Sequence, residues 1–166
     1  MSTSGGGSSV TFGTATTITT AVTMGSAGGA ITFDNTVAGT AADDLTLNAG
    51  AGALTLSGSV GAGNQIGAID IDAGSLTQDG AITAQGQVDI DVAAALTIDE
   101  NLTSGGATNI TVTADDAGAA TFSHTAGTIS STAGALTIRA DDMALSGTIT
   151  ATDQMVHLLS NTANDS

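Results

Sequence analysis

The sequence predicts an all-β protein, a right-handed parallel β-helix (β-solenoid) with about three short strands per coil and about six to seven coils. Three observations carry that reading. Apolar and polar residues alternate in short triplets such as Leu54-Thr55-Leu56 and Ile69-Asp70-Ile71, the period of a half-buried strand. The triplets fall into three classes, and within each class the copies recur every 19 to 27 residues. The chain also has no Pro, no Trp and no Tyr, and only three Phe. Parallel ladders on every face need their N–H groups, which Pro lacks. A core filled by Leu, Ile and Val must be narrow.

In chain order, residues 1–9 are a flexible Gly/Ser-rich lead by composition. Residues 10–160 form one β-solenoid domain, and 161–166 a flexible tail. Val10 to Phe12 and Thr16 to Thr20 make an irregular entry. The first strand class is Leu45-Thr46-Leu47, Ile69-Asp70-Ile71, Val88-Asp89-Ile90, Ile110-Thr111-Val112 and Leu136-Thr137-Ile138, with Val156 to Leu158 as a last member. The second is Ile31-Thr32-Phe33, Leu54-Thr55-Leu56, Leu76-Thr77-Gln78 and Leu96-Thr97-Ile98, then a looser Thr121-Phe122-Ser123 and Met143-Ala144-Leu145. The third is a single apolar site: Val37, Val60, Ile82, Leu102, Ile129 and Ile149. Equivalent strands should pair in parallel at about 4.8 Å per coil, giving a rod of roughly 30 Å. No coil buries its apolar residues alone, so stacking is what makes the core.

Asn48, Gly50, Gly58, Gly74, Gly80, Gly105, Gly127 and Gly147 mark the corners, where positive φ is expected. Ala114 to Ser131 holds the longest interval of its class, which predicts a bulge or loop near Phe122 and His124. The larger apolar residues Met155, Val156, Leu158 and Leu159 suit a cap or a contact with a neighbour. Capped ends would favour a monomeric domain, and bare ends head-to-tail assembly, since unpaired strand edges template further pairing.

The formal net charge is −15, with one cation, Arg139. Such a chain cannot neutralise phosphates, so nucleic acid is excluded as a partner, and anionic lipid surfaces are disfavoured. No 18-residue apolar run exists, so no membrane insertion is expected. Solubility is the first reading of the acidity, and cations or a basic protein surface are compatible with it. The absence of Cys excludes disulfides and fits an extracellular bacterial protein. The opening MSTSGGGSS lacks a secretory signal. The expectation is a signal outside this chain, or a chain that is part of something longer.

The sharpest chemical pattern is acidic. If Ile69, Ile71, Val88 and Ile90 point inward, Asp70, Asp72, Asp89 and Asp91 point outward on adjacent coils. Asp70 then stands beside Asp89 and Asp72 beside Asp91, about 4.8 Å apart. Close carboxylates raise each other's pKa, and Ca²⁺ is the hard cation that would relieve them. The alternative is a solvated face screened by salt. The pairs Asp43-Asp44, Asp115-Asp116 and Asp141-Asp142 read as corner caps. Outward Thr32, Thr55, Thr77 and Thr97 form one column; ice binding usually needs two. A polysaccharide-active enzyme would need a base, and Arg139, close to Asp141 and Asp142, reads as a local ion pair. His124 and His157 read as surface or corner residues. No motif for a nucleophile, a phosphate loop or a Cys-based metal site is present.

The segments LTQDGAITAQGQVDIDVA and ALTIRADDMALSGTITATDQM resemble the coils of filamentous haemagglutinin-type adhesins. GAITFDNTVAGTAADDLTLNAGAGALTLSGSV is similar to the tandem repeats of giant bacterial surface proteins. The resemblance covers nearly all of residues 28–160. It implies a right-handed parallel β-helix, export to the bacterial cell surface, and a shaft that presents or is an adhesive surface. The family's amino-terminal secretion domain is not in this chain. The expected role is therefore structural and non-enzymatic, without a cofactor. Partners would be further copies, head-to-tail or lateral, or neighbouring repeats of a longer chain.

Overall fold

The computed structural model describes residues 7–63, 66–113 and 120–160. Most of the predicted lead (1–6) and all of the tail (161–166) lie outside the described residues, as does part of the predicted loop, residues 114–119. Residues 7–9 are exposed.

The described chain winds through about seven coils, and every strand pairing is parallel. The first coil holds β1 (Val10–Phe12), β2 (Thr16–Ile18) and β3 (Val22–Gly25), and the second β4 (Ile31–Phe33), β5 (Val37–Gly39) and β6 (Leu45–Asn48). After β7 (Ala53–Leu56) the middle face of the third coil is a single bridge at Val60, paired with Val37 below and Ile82 above. Then β8 (Ile69–Gln78), β9 (Ile82–Ala84) and β10 (Val88–Ile98) carry the chain into the fifth coil. The remaining strands are β11 (Leu102–Ser104), β12 (Thr108–Val112), β13 (Thr121–His124), β14 (Thr128–Ser131), β15 (Leu136–Arg139), β16 (Asp142–Leu145), β17 (Thr148–Ala151) and β18 (Val156–Leu159).

The three strand classes of the sequence become three faces of the rod. One face stacks Val22, Leu45, Ile69 and Val88 in register, and the next stacks Val10, Ile31, Leu54, Leu76 and Leu96. The third stacks Val37, Val60, Ile82, Leu102, Ile129 and Ile149. Inward members of all three are almost wholly buried, from Ile31 through Leu56 and Ile90 to Ile138. Phe12 and Phe33, consecutive members of one column, stack with ring centroids 4.5 Å apart.

Four local expectations change. First, β8 and β10 each run unbroken around a corner where separate strands were predicted, because Ala73 and Val92 keep the ladder going. The coils differ in length there, and the register shifts between Val92 and Ala95. Second, Ile110 aligns with Ile90 and Ile138, so Thr108 takes the inward seat beside Val88 and Leu136. The predicted triplet was two residues out; a shift of two keeps the same face and leaves no trace in the alternation. Third, Phe122 and His124 lie in a regular strand, opposite Leu96 and Ile98, and both are buried.

Fourth, positive φ explains only Gly50 (57°) and Gly127 (78°) among the predicted corner residues, and Asn48 is a strand residue. Gly58 and Gly80 are needed for space instead. A Cβ on Gly80 would strike the backbone of Gly58, and one on Gly58 would strike Asn35. The coil below comes too close for any side chain.

That distinction is testable. Gly80→Ala should lower stability by about 1–3 kcal/mol through overpacking. Gly13→Ala, whose methyl meets nothing nearer than Asp34 Oδ2 at 3.9 Å, should stay within about 0.5 kcal/mol. Denaturant unfolding of the two variants reads the difference.

Candidate functional site

The outward acidic ladder forms as its alternation requires. β8 and β10 lie side by side with Asp70 opposite Asp89 and Asp72 opposite Asp91. Asp70, Asp72 and Asp91 are exposed and Asp89 is half-buried. Below, Asp70 meets Thr46 and Asp72 meets Asn48; above, Asp89 meets Asn109 and Asp91 meets Thr111. The acidic patch is therefore two coils tall, bounded by neutral side chains. Two amides soften it: Asn48 Nδ2 donates to Asp72 Oδ2 (3.3 Å) and Gln87 Nε2 to Asp89 Oδ2 (3.3 Å).

Partial burial, followed by the nearby Asp91 and Asp70 carboxylates, raises Asp89 above the ordinary aspartate value of 3.8, and the Gln87 amide pulls it back in part. Ionised Asp89 thus sits less comfortably in the fold than in the unfolded chain. Its strain is present above the raised native value and is relieved as pH falls through that value towards 3.8. Calcium takes six to eight oxygen ligands. Among the described residues no group of three or more His, Asp or Glu side chains is placed to hold a metal ion. The ladder supplies carboxylates in pairs on a flat face.

Two of the paired aspartates cap across coils rather than within their own turns, while Asp43 Oδ2 is buried without a partner among the described residues. Asp44 Oδ1 accepts from Ala68 N (2.7 Å), one coil later, and Asp141 Oδ2 from Ala120 N (3.2 Å), one coil earlier. Asp115 and Asp116 lie outside the described residues. Arg139 is exposed and makes no ion pair with Asp141 or Asp142, contrary to expectation. It extends the column Asp72, Asp91, Thr111, Arg139, two coils beyond Asp91 and so about 10 Å from it.

A groove does exist, but away from the ladder. It is an open depression of about 570 Å³ at the corner between the strands of the second and third classes, lined by Asp34, Asn35, Ser57, Asp79 and Glu100 among others. No aromatic or basic side chain lines it. Asp34 and Asp79 are separated by the coil that carries Ser57. The Thr column is in register and longer than predicted, starting at Thr11 and continuing past Thr97 as Ser123. It remains a single column on its face.

Alternation alone did not reveal the polar groups inside the core. Gln78, Ser104, Thr108, His124 and Ser131 are fully buried. Ser104 and Ser131 occupy one inward column against corner carbonyls: Ser104 Oγ donates to Gly106 O (2.8 Å), and the single Ser131 hydroxyl proton lies between Gly134 O (2.5 Å) and Gly106 O (2.6 Å). Gln78 Nε2 reaches Asn101 O (3.1 Å), while its Oε1 has no partner.

His124 is the outlier. Its seat continues the column Leu56, Gln78, Ile98, and Leu145 follows it. The expectation of a surface or corner residue is overturned, because the seat at this point of the strand faces inward whatever occupies it. Neither ring nitrogen makes a hydrogen bond among the described residues. Burial lowers its pKa below 6.5; the Ala126 backbone, near enough to favour the protonated ring without reaching hydrogen-bond geometry, offsets this in part. The sequence signal was available: His124 stands two residues after Phe122, as Ile98 does after Leu96.

No family model, no curated protein and no solved structure matches the chain. Any functional reading therefore rests on the coil pattern and on the geometry just described.

His124 gives the pH prediction. With the native pKa below the unfolded value of 6.5, its contribution to stability is fully present above 6.5. It is lost as pH falls from 6.5 through the lowered native value, because the unfolded chain takes up the proton first. The melting temperature of the wild-type chain should drop over that window. His124→Leu, which matches the neighbouring Leu145 seat, should flatten the drop.

Proposed function

We propose that this chain is a non-enzymatic structural β-solenoid, a shaft or assembly element of a bacterial surface adhesin, filament or surface layer. The observation that carries the reading is mechanical. One unbroken apolar core runs the length of the coils, and every described strand is tied to its neighbours by parallel main-chain ladders. Unfolding one coil exposes the core of the next, so load along the rod is shared. Apart from Arg139, the outward columns offer short, uncharged or acidic side chains, and no convergent group for chemistry is present among the described residues. The resemblance of its coils to those of filamentous haemagglutinin-type adhesins supports an extracellular, cell-surface setting.

The reading in which calcium binds at Asp70, Asp72, Asp89 and Asp91 draws on the raised Asp89 value and the paired carboxylates. It is the weaker of the two, because a flat two-coil ladder leaves most of a calcium shell to water. Ice binding would be served by two Thr columns on one flat face, whereas the columns through Thr77 and through Thr103 lie on different faces. A polysaccharide-active enzyme would have to work in the Asp34–Asp79 groove without an aromatic platform.

Antibodies against the folded chain should label intact producing cells from outside. Labelling only after permeabilisation would remove the surface role. Calcium at roughly 1 mM should leave the melting temperature unchanged. A rise that Asp70→Asn with Asp89→Asn abolishes would instead assign the chain to the cation-binding class.

A further inference from the structure

We infer that the two ends of the rod are complementary, and that the last coil of one chain pairs in register with the first coil of a second copy. The inference rests on the structural reading above and names its partner. Three observations meet at the ends. The first is the unpaired edges: among the described residues β16, β17 and β18 pair only with the coil before them, and β1, β2 and β3 only with the coil after. The second is exposed core. Leu145, Val156 and Leu158 hold inward seats, continuing His124, Leu136 and Ile138, yet are 39%, 41% and 48% exposed. Nothing described stacks on them.

The third is spacing. Within the last coil the inward seats Met143, Ile149 and Val156 succeed one another after six and seven residues. Within the first coil the corresponding seats Val10, Thr16 and Val22 do so after six and six. The two coils thus space these three seats nearly alike. Stacking them as the interior coils stack puts Met143 on Val10, Leu145 on Phe12, Ala151 on Ile18, Val156 on Val22 and Leu158 on Met24 of the second copy. Apolar meets apolar at these five seats, whereas at the sixth Ile149 meets the polar Thr16, and Ile18 and Met24 are already buried in the single chain.

Charge agrees with the fit. The chain carries 16 acidic residues, but the six end strands hold one, Asp142. Two copies at net −15 repel at long range, so association should strengthen as salt screens the rods. The first coil has Ser8, Thr14 and Thr20 at its corners where interior coils often have Gly. Asn35 shows how such a corner stacks: its Nδ2 donates to Gly13 O of the coil below (3.0 Å).

The test uses the absence of native Cys. In the double variant Thr17→Cys/Thr150→Cys the two outward positions lie at opposite ends of one rod, too far apart to join within a chain. Across the inferred joint they are direct partners at about 4.8 Å, inside the range for a disulfide. Mild oxidation at moderate salt should give a ladder of covalent dimers, trimers and longer chains. The shifted variant Thr19→Cys/Thr150→Cys should give about tenfold less. Leu158→Asp, at a half-exposed seat, should leave the isolated rod folded and weaken association about tenfold or more. A chain that stays monomeric, or cross-links equally well in the shifted variant, overturns the joint. Because surface labelling does not depend on the joint, either failure leaves the structural role standing or falling on its own test.

Discussion

The structure depends on one spacing, the distance between parallel strands in a hydrogen-bonded ladder. Each coil must lie about 4.8 Å above the last on all three faces at once. That leaves no freedom to separate coils locally. It explains why corner glycines are demanded by the coil beneath rather than by backbone dihedral angles, as at Gly58 and Gly80. It also explains why inward seats repeat with so little variation: a residue at a given seat contacts the same seat above and below, and Leu, Ile and Val fill the narrow core best.

The same spacing governs the chemistry. Like groups on adjacent coils are forced together, so the carboxyl of Asp89, raised first by its partial burial, is raised further by Asp91 on its own strand and by Asp70 beside it. Inside, the ladder holds a polar residue at an inward seat whether or not it has a partner. Ser104 and Ser131 sit near corners, where carbonyls are within reach, and are satisfied. His124 sits mid-column between Ile98 and Leu145 and is not. Among the described residues β18 pairs only with β15, and its inward seats Val156 and Leu158 are half-exposed.

The seats of the three faces were legible because a two-residue period and a coil-length recurrence reinforce each other: Leu54, Leu76 and Leu96 can be superposed by eye. The Asp ladder was legible for the same reason, since Ile69 and Val88 differ by one coil. Failures came where one of the two signals was silent. Thr108 and Ile110 both satisfy the alternation, so only the pairing partner decides which is opposite Val88. His124 is a polar letter at an apolar seat, following an irregular interval, and hydropathy alone assigns it to the surface. A glycine in the sequence likewise does not say whether it provides a dihedral angle or a space. The acidic ladder was therefore placed correctly, while its meaning as a site was not determined by placement.

The register across the sixth coil tests the stacking most directly, because there the sequence alignment and the three-dimensional pairing differ by one residue. Thr97 pairs with Ser123, both half-buried on the outward side of their strands. In a chain without native Cys, Thr97→Cys with Ser123→Cys should form a disulfide on mild oxidation, at a strand spacing of about 4.8 Å, with the melting transition retained. Thr97→Cys with Thr125→Cys should not. Efficient bridging of positions 97 and 125, with none between 97 and 123, would contradict the account of in-register coils.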